Sequence, residues 1–164
     1  MNTIQVIKNG HHEEKREPAD GAAEILLVED DPADAELTIR ALADCGYSHR
    51  VEHVTDGADA LDYIASTALF VEKHVATIPK LILLDLKLNN MSGLQVLRQL
   101  KADERTRGIP IVVLTASKVA IEVLESYKLG VNSYVIKPPN GKQFADVVAK
   151  VGTYWLTINQ PPPL

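Results

Sequence analysis

Residues that could handle a phosphoryl group stand directly after short apolar runs. Asp85 ends the run 81–84, and Glu29, Asp30 and Asp31 follow an apolar run near the start of the chain. Four apolar residues in succession indicate a strand buried on both faces or a piece of core helix. Open α/β sheets bind their ligands at the carboxyl ends of the strands. A lone aspartate there more often caps the next turn, so a chemical role requires other acids nearby.

Several carboxylates at one sheet edge would repel each other unless a proton or a cation relieved the repulsion. Oxygen ligands with open coordination positions favour Mg²⁺. Thr115 and Lys137 end two further apolar runs, with a hydroxyl and an ammonium. The set therefore predicts phosphoryl chemistry, in which Asp85 attacks phosphorus while Thr115 and Lys137 hold the phosphoryl oxygens. A solvated acidic rim remains the alternative.

Five strands that alternate with five helices would position these side chains. We expect strands at residues 24–29, 50–54, 81–85, 109–115 and 133–137. We expect helices at about 32–45, 58–70, 93–103 and 118–129, and from about 142 onwards. This alternation predicts an α/β fold, a doubly wound five-stranded parallel sheet with five helices on its two faces.

Composition narrows the classes of function. A net charge of -5 gives no electrostatic footprint for nucleic acid, and no apolar stretch is long enough to span a membrane. The single cysteine and the absence of a secretion signal favour the cytoplasm. We expect a mobile arm over residues 1–23, one domain over 24–158 and a proline-rich tail over 159–164.

Four segments, "ILLVEDD", "LILLDLKL…MSG", "VVLTAS" and "YVIKP", occur in this order. With this spacing the chain resembles the receiver domains of two-component response regulators over about residues 24–152. The resemblance implies the flavodoxin-like receiver fold. It also implies a phosphorelay protein that assists its own phosphorylation and dephosphorylation but is not a dedicated enzyme.

The resemblance implies specific roles around a metal ion. Asp85 matches the phosphoacceptor, and Glu29 and Asp30 match the acidic pair that holds Mg²⁺ together with it. Lys87 matches the position whose backbone carbonyl completes the metal shell.

Other roles concern the phosphoryl group and the response to it. Thr115 and Lys137 match the phosphate-sensing hydroxyl and the phosphate-binding lysine, and Tyr134 matches the aromatic residue that reports the state. The Lys137–Pro138 bond matches a cis peptide, which the small cis penalty of X–Pro bonds permits.

Three positions depart from the usual pattern or add to it. Asn89 stands where many receivers have proline, which leaves the rigidity of this loop open. Asp31 is a third acid beside the pair, and Pro32 after it favours a helix cap over a metal ligand. Lys87 also brings a cationic side chain next to the site.

A narrower resemblance concerns the partner. The segment 71–80 and the terminal "YWLTINQPPP" are similar to small response regulators paired with phytochrome-type histidine kinases. Too few residues follow Lys137 for a DNA-binding domain, so we expect output through protein contacts. The last helix carries an apolar stripe of Phe144, Val147, Val148, Val151, Trp155 and Ile158. Its final turn should project past the core, which suggests a homodimer through the fourth helix, fifth strand and fifth helix.

Three other classes of protein fit these residues less well. A phosphatase of the haloacid dehalogenase type needs a second acid two residues after the nucleophile, where this chain has Lys87. A nucleotide-binding α/β protein needs a glycine-rich loop, whereas "VEDDPAD" would repel a pyrophosphate. A receiver-like module that is never phosphorylated would be expected to lose a site residue, and all are present.

Overall fold

The computed structural model describes residues 23–47, 50–71 and 78–161. The elements follow one another as β1 (Ile25–Val28), α1 (Pro32–Asp44), β2 (Val51–Val54), α2 (Gly57–Val71), β3 (Leu81–Leu84), α3 (Gly93–Ala102), β4 (Ile111–Thr115), α4 (Ala120–Lys128), β5 (Ser133–Ile136) and α5 (Gly141–Thr153). A short π-helical segment, Tyr154–Ile158, continues directly from α5. The predicted alternation of five strands and five helices is confirmed.

The five strands form one parallel sheet in the order β2-β1-β3-β4-β5. The chain reverses its direction of winding between β1 and β3, which makes this the point where ligands bind in open α/β sheets. Since β1 and β3 are neighbours, Glu29 and Asp85 leave the sheet side by side. The strand order confirms the prediction of a doubly wound sheet.

The strand residues divide between two apolar layers. Leu26, Val28, Ile82 and Leu84 face one core with residues of α2 and α3. Ile25, Leu27, Leu81 and Leu83 face the other core with residues of α1 and α5. Because successive side chains of a strand point to opposite faces and both faces are covered, β1 and β3 need continuous apolar runs.

Helix α1 begins as the sequence predicts. The Asp31 side chain caps it by accepting hydrogen bonds from the backbone amides of Ala33 and Asp34, both at 2.9 Å. Pro32 occupies the first turn, where its missing N–H costs nothing. Gly46 follows the helix with a φ of 90°, a left-handed conformation that glycine adopts without strain.

The end of the chain differs from the prediction. The helix beginning at Gly141 is α-helical to Thr153, and the Asn159 amide then bonds the Tyr154 carbonyl five residues earlier. This π-helical spacing changes which residues share a face. Trp155, four residues after Val151, packs with it against the α1–α5 core, whereas Tyr154 and Ile158 are exposed. The expectation that Trp155 projects past the core was wrong.

The Lys137–Pro138 bond is trans, not cis, in keeping with the modest trans preference of X–Pro bonds. The predictions for residues 1–22, for most of the segment 71–80 and for 162–164 fall outside the described residues. No helix among the described residues combines the length and apolarity needed to cross a bilayer.

Candidate functional site

Asp85 lies at the carboxyl end of the central strand β3 and is only 6% exposed. Its Oδ1 atom accepts a hydrogen bond from the Lys87 backbone amide at 3.0 Å. Its Oδ2 atom accepts one from Lys137 Nζ at 2.8 Å. Both oxygens of the predicted nucleophile are thus held in defined directions.

Lys137 follows β5 and brings three carboxylates together. Its ammonium donates to Glu29 Oε2 at 2.5 Å and to Asp34 Oδ2 and Asp85 Oδ2, each at 2.8 Å. A lysine ammonium has three N–H donors, so each donor has a carboxylate partner. Burial alone would lower the pKa of Lys137, but the hydrogen bonds with the three carboxylates raise it above its ordinary value.

The pKa values of the two buried carboxylates, Glu29 and Asp85, shift in opposite directions. Burial raises the pKa of Glu29 to about 7, against the opposing hydrogen bond from Lys137. Burial would also raise the pKa of Asp85. Hydrogen bonds from Lys137, the Lys87 amide and the Thr115 hydroxyl outweigh it, and the pKa of Asp85 lies below its ordinary value. Asp85 is therefore ionised at neutral pH, as a nucleophile must be.

Asp30 points away from this ammonium. Its Oδ2 atom accepts a hydrogen bond from Asn89 Nδ2 at 2.6 Å, across an open cleft that Asp56 and Asp59 also line. The sequence analysis placed Asp30 with Glu29 as a metal ligand. In this arrangement the Asp30 carboxylate binds the side-chain amide of Asn89 instead.

The predicted magnesium ligands have suitable atoms for the ion, but their present positions are not those of a metal site. Glu29, Asp30 and Asp85 supply the carboxylate oxygens that Mg²⁺ prefers. Among the described residues, however, no group of three or more His, Cys, Asp or Glu side chains is arranged to hold a metal ion. The physical reason is that the Lys137 ammonium lies between Glu29 and Asp85. A metal ion at this position requires Lys137 to give up Glu29.

Thr115 and Tyr134 are linked through one residue. Thr115 is the last residue of β4 and is fully buried, and its Oγ1 atom accepts a hydrogen bond from the Ser117 amide at 3.3 Å. The Tyr134 hydroxyl donates to the Ser117 carbonyl at 3.2 Å. A shift of Thr115 would therefore act on Tyr134 through Ser117.

Two acidic residues at the site, Asp34 and Glu122, were not predicted from the sequence. Asp34 contacts Lys137, and Glu122 accepts from Lys87 Nζ at 3.1 Å and from the Ser117 hydroxyl. Each lies in the first turn of its helix, α1 or α4. Helices that follow parallel strands begin at the carboxyl edge of the sheet, so acids in their first turns could have been recognised as candidates.

Gly93 is also part of the site, although it has no side chain. A Cβ atom on this residue would lie 2.1 Å from the Asp85 carbonyl oxygen and 2.7 Å from Leu86 Cα. Its amide donates to the Leu86 carbonyl at 3.1 Å. Glycine is thus required for the loop after β3 to fold closely against the backbone of Asp85.

This fold and this site agree with comparisons to known proteins. Residues 25–149 match the sequence profile of the response regulator receiver domain. The chain belongs to this family. The receiver assignment excludes the dehalogenase and nucleotide-binding alternatives, and receivers are in general regulatory domains rather than dedicated enzymes.

Similar receivers include two curated proteins. The probable methanogenesis regulatory protein FilR2 of Methanothrix harundinacea is 41% identical over 138 residues, which cover 84% of this chain and 86% of that protein. The response regulator Rcp1 of Synechocystis sp. is 36% identical over 138 residues, which cover 84% of this chain and 92% of that protein.

Two solved structures resemble this receiver throughout. The phosphorylated cyanobacterial phytochrome response regulator RcpA has a TM-score of 0.77 and 36% identity, over 87% of this chain and all of that one. The Mn²⁺-bound form of Rcp1 has a TM-score of 0.75 and 34% identity, over 85% of this chain and 98% of that one. The receiver is therefore of the kind found in single-domain, phytochrome-associated response regulators.

Proposed function

We propose that this receiver accepts a phosphoryl group on Asp85 from a phosphohistidine of a histidine kinase. The observation that carries the proposal is the hydrogen bond between Asp85 Oδ2 and Lys137 Nζ at the carboxyl edge of the sheet. It joins an ionised, buried carboxylate to a cation that can follow the negative charge onto a phosphoryl group.

The proposed reaction is an in-line displacement at phosphorus. An Asp85 oxygen forms the new O–P bond while the N–P bond of the phosphohistidine breaks. The leaving imidazole nitrogen keeps the electron pair of that bond and then binds a proton. The Lys137 ammonium and the Thr115 hydroxyl donate hydrogen bonds to the phosphoryl oxygens, which stabilises the charge that spreads over them.

Magnesium is the cofactor that we assign to this reaction. Glu29, Asp30 and Asp85 would hold it with the backbone carbonyl of Lys87, and when bound it supplies charge neutralisation for the incoming phosphoryl oxygens. Two observations support the assignment: the excess of carboxylates around one ammonium, and the Mn²⁺-bound form of the similar protein Rcp1.

Phosphorylation would switch the receiver through Thr115. New acceptor oxygens on Asp85 draw the Thr115 hydroxyl towards them, which breaks its contact with the Ser117 amide. Tyr134, which donates to the Ser117 carbonyl, then changes its position. This is a shift of population between two packings, driven by a contact that exists only with phosphate bound.

The partners we propose are a phytochrome-type histidine kinase and a second copy of the chain. The similarity to RcpA and Rcp1 supports the first. A set of exposed apolar side chains supports the second, on α4, β5 and the π-helical segment: Val119, Ile121, Leu124, Tyr127, Ile136, Tyr154 and Ile158. Exposed apolar side chains mark protein interfaces where they form a contiguous patch, and α4 and β5 lie in contact.

A small phosphoramidate tests the proposed chemistry directly, because its P–N bond mimics that of phosphohistidine. The wild-type chain should gain the mass of one phosphoryl group with Mg²⁺ and not after its removal by EDTA. Asp85→Asn, which keeps the shape but loses the nucleophile, should gain none under either condition. Equal labelling of Asp85→Asn and the wild type would contradict the proposal.

A further inference from the structure

The third carboxylate that contacts Lys137 belongs to Asp34, which is neither the proposed nucleophile nor a proposed metal ligand. Asp34 Oδ2 lies 2.8 Å from Lys137 Nζ, the same distance as Asp85 Oδ2. Asp34 comes from the first turn of α1, where the Asp31 side chain holds its backbone amide. The cap fixes the backbone of this turn, and from there the Asp34 side chain reaches Lys137.

The three contacts of Lys137 differ in what happens to them when a metal ion binds. Under the proposed function, on which this inference rests, Glu29 and Asp85 are metal ligands. The ammonium must then give up Glu29 and share Asp85 with the metal. Asp34 is not a proposed ligand, so its carboxylate stays available to Lys137 in both states.

We infer that Asp34 is a positioning residue that keeps the Lys137 ammonium at the site when a divalent metal ion takes Glu29. It acts through Lys137 and contacts neither the metal ion nor the phosphoryl group. Without Asp34, the ammonium would keep only the shared contact with Asp85 in the metal-bound state, whereas in the metal-free state it would still contact both Glu29 and Asp85. Loss of Asp34 therefore weakens the metal-bound state more than the metal-free state.

The position of Asp34 suits this role. Its side chain is 38% exposed, so water as well as Lys137 contacts the carboxylate. The amino-terminal end of a helix also favours a negative charge. Lys137, by contrast, is nearly buried, with its ammonium 6.0 Å from the centre of the Phe144 ring, and needs an ionised partner in either state.

The test measures Mn²⁺ affinity without any phosphoryl donor, by the electron paramagnetic resonance signal of free Mn²⁺, with Mg²⁺ as competitor. The variants are Asp34→Asn, Lys137→Met and the two combined. Asp31→Asn is the matched control: it removes the same charge from the same turn, Asn caps helices as well as Asp does, and Asp31 does not contact Lys137.

We expect Asp34→Asn to weaken Mn²⁺ binding about twofold to fivefold in the presence of Lys137, in line with a partly exposed ion pair. In the Lys137→Met background the same substitution should change the affinity less than twofold. Asp31→Asn should have a small effect that is equal in both backgrounds, since it acts through charge alone.

Two other results would have different meanings. If the wild type binds Mn²⁺ but Asp34→Asn has the same effect with and without Lys137, Asp34 acts through its charge alone and the inference is wrong. If the wild type itself binds no Mn²⁺ at millimolar concentration, the proposed metal site fails, and the inference fails with it. Wild-type binding therefore separates the two failures.

Discussion

Lys137 contacts Asp85 across an intervening strand: their Nζ and Oδ2 atoms are 2.8 Å apart, although β4 lies between β3 and β5. The lysine bridges this gap because it leaves the end of β5 and extends over Thr115, at the end of β4. The same ammonium reaches Glu29, beyond β3. One side chain thus joins the carboxyl ends of three strands.

Lys137→Met should destabilise the metal-free protein strongly. Removal of one partner from a buried ion pair costs about 3–5 kcal/mol, because the remaining charge stays buried. Urea unfolding at pH 8 measures the loss. Lys142→Met, an exposed lysine in the first turn of α5, is the control and should change the free energy of unfolding by less than about 0.5 kcal/mol.

The stability that Lys137→Met loses should be smaller at pH 5 than at pH 8. In the wild type the lowered pKa of Asp85 contributes stability at both pH values and loses it only at lower pH, whereas the pKa of Glu29, raised to about 7, makes stability fall somewhat between pH 5 and pH 8. In Lys137→Met, Asp85 and Glu29 lose the contact that lowers their pKa values, so the folded state binds protons more readily than the unfolded state. Stability then falls as pH rises. A loss that is equal at both pH values would contradict the importance of these contacts.

Gly93→Ala should disturb the site through the backbone. Its Cβ atom would overlap the Asp85 carbonyl at 2.1 Å, so the loop after β3 must move. We expect destabilisation of several kcal/mol and a loss of labelling by phosphoramidate. Gly141→Ala is the matched control, because its Cβ meets nothing closer than 3.6 Å. Labelling of Gly93→Ala at the wild-type rate would show that the close approach is dispensable.

Thr115→Ala should accept phosphate but fail to pass the signal to Tyr134. The hydroxyl is the group that changes partners, and Thr115→Ser, which keeps it, is the control. NMR signals of the Tyr134 ring, identified by comparison with Tyr134→Phe, should shift on phosphorylation in the wild type and in Thr115→Ser. A full shift in Thr115→Ala would rule out this route.

The sequence was sufficient to predict the fold because both faces of the sheet are buried. Strands β1 and β3 must be continuously apolar to serve two cores, and this pattern is visible in "ILLV" and "LILL". The positions of Glu29 and Asp85 follow from the parallel sheet, which ends its strands at one edge. The residues at the strand ends could therefore be predicted without any structure, whereas the strand order β2-β1-β3-β4-β5 came from the structure.

Side-chain directions could not be predicted in the same way. Nothing in the spacing indicates that Asp30 turns to Asn89 while Asp34 turns to Lys137, because the sequence fixes where a strand ends and not which rotamer follows. The packing of Trp155 was missed because the last turn was expected to extend past the sheet. Trp155 lies four residues after Val151, on the same helix face, and that face still meets the core at this point.

The proposed dimer depends on the exposed end of the chain. Tyr154 is 48% exposed and Ile158 is 66% exposed. The double variant Tyr154→Ser, Ile158→Ser should lower the self-association of the full chain in light scattering at tens of micromolar, with and without phosphorylation. Trp155 is left in place because it packs against the core. If the wild type is a monomer under both conditions, the proposed dimer is wrong.

The most direct test of the account is to locate the phosphoryl group itself. An aspartyl phosphate is reduced by borohydride to homoserine, which peptide mass spectrometry assigns to one position. After treatment with phosphoramidate and Mg²⁺, we predict homoserine at Asp85 in the wild type, none without Mg²⁺, and none at any acidic position of Asp85→Asn. Homoserine at Asp30 or another aspartate, the longer alcohol 5-hydroxynorvaline at Glu29 or another glutamate, or labelling of Asp85 that does not depend on Mg²⁺, would contradict the account.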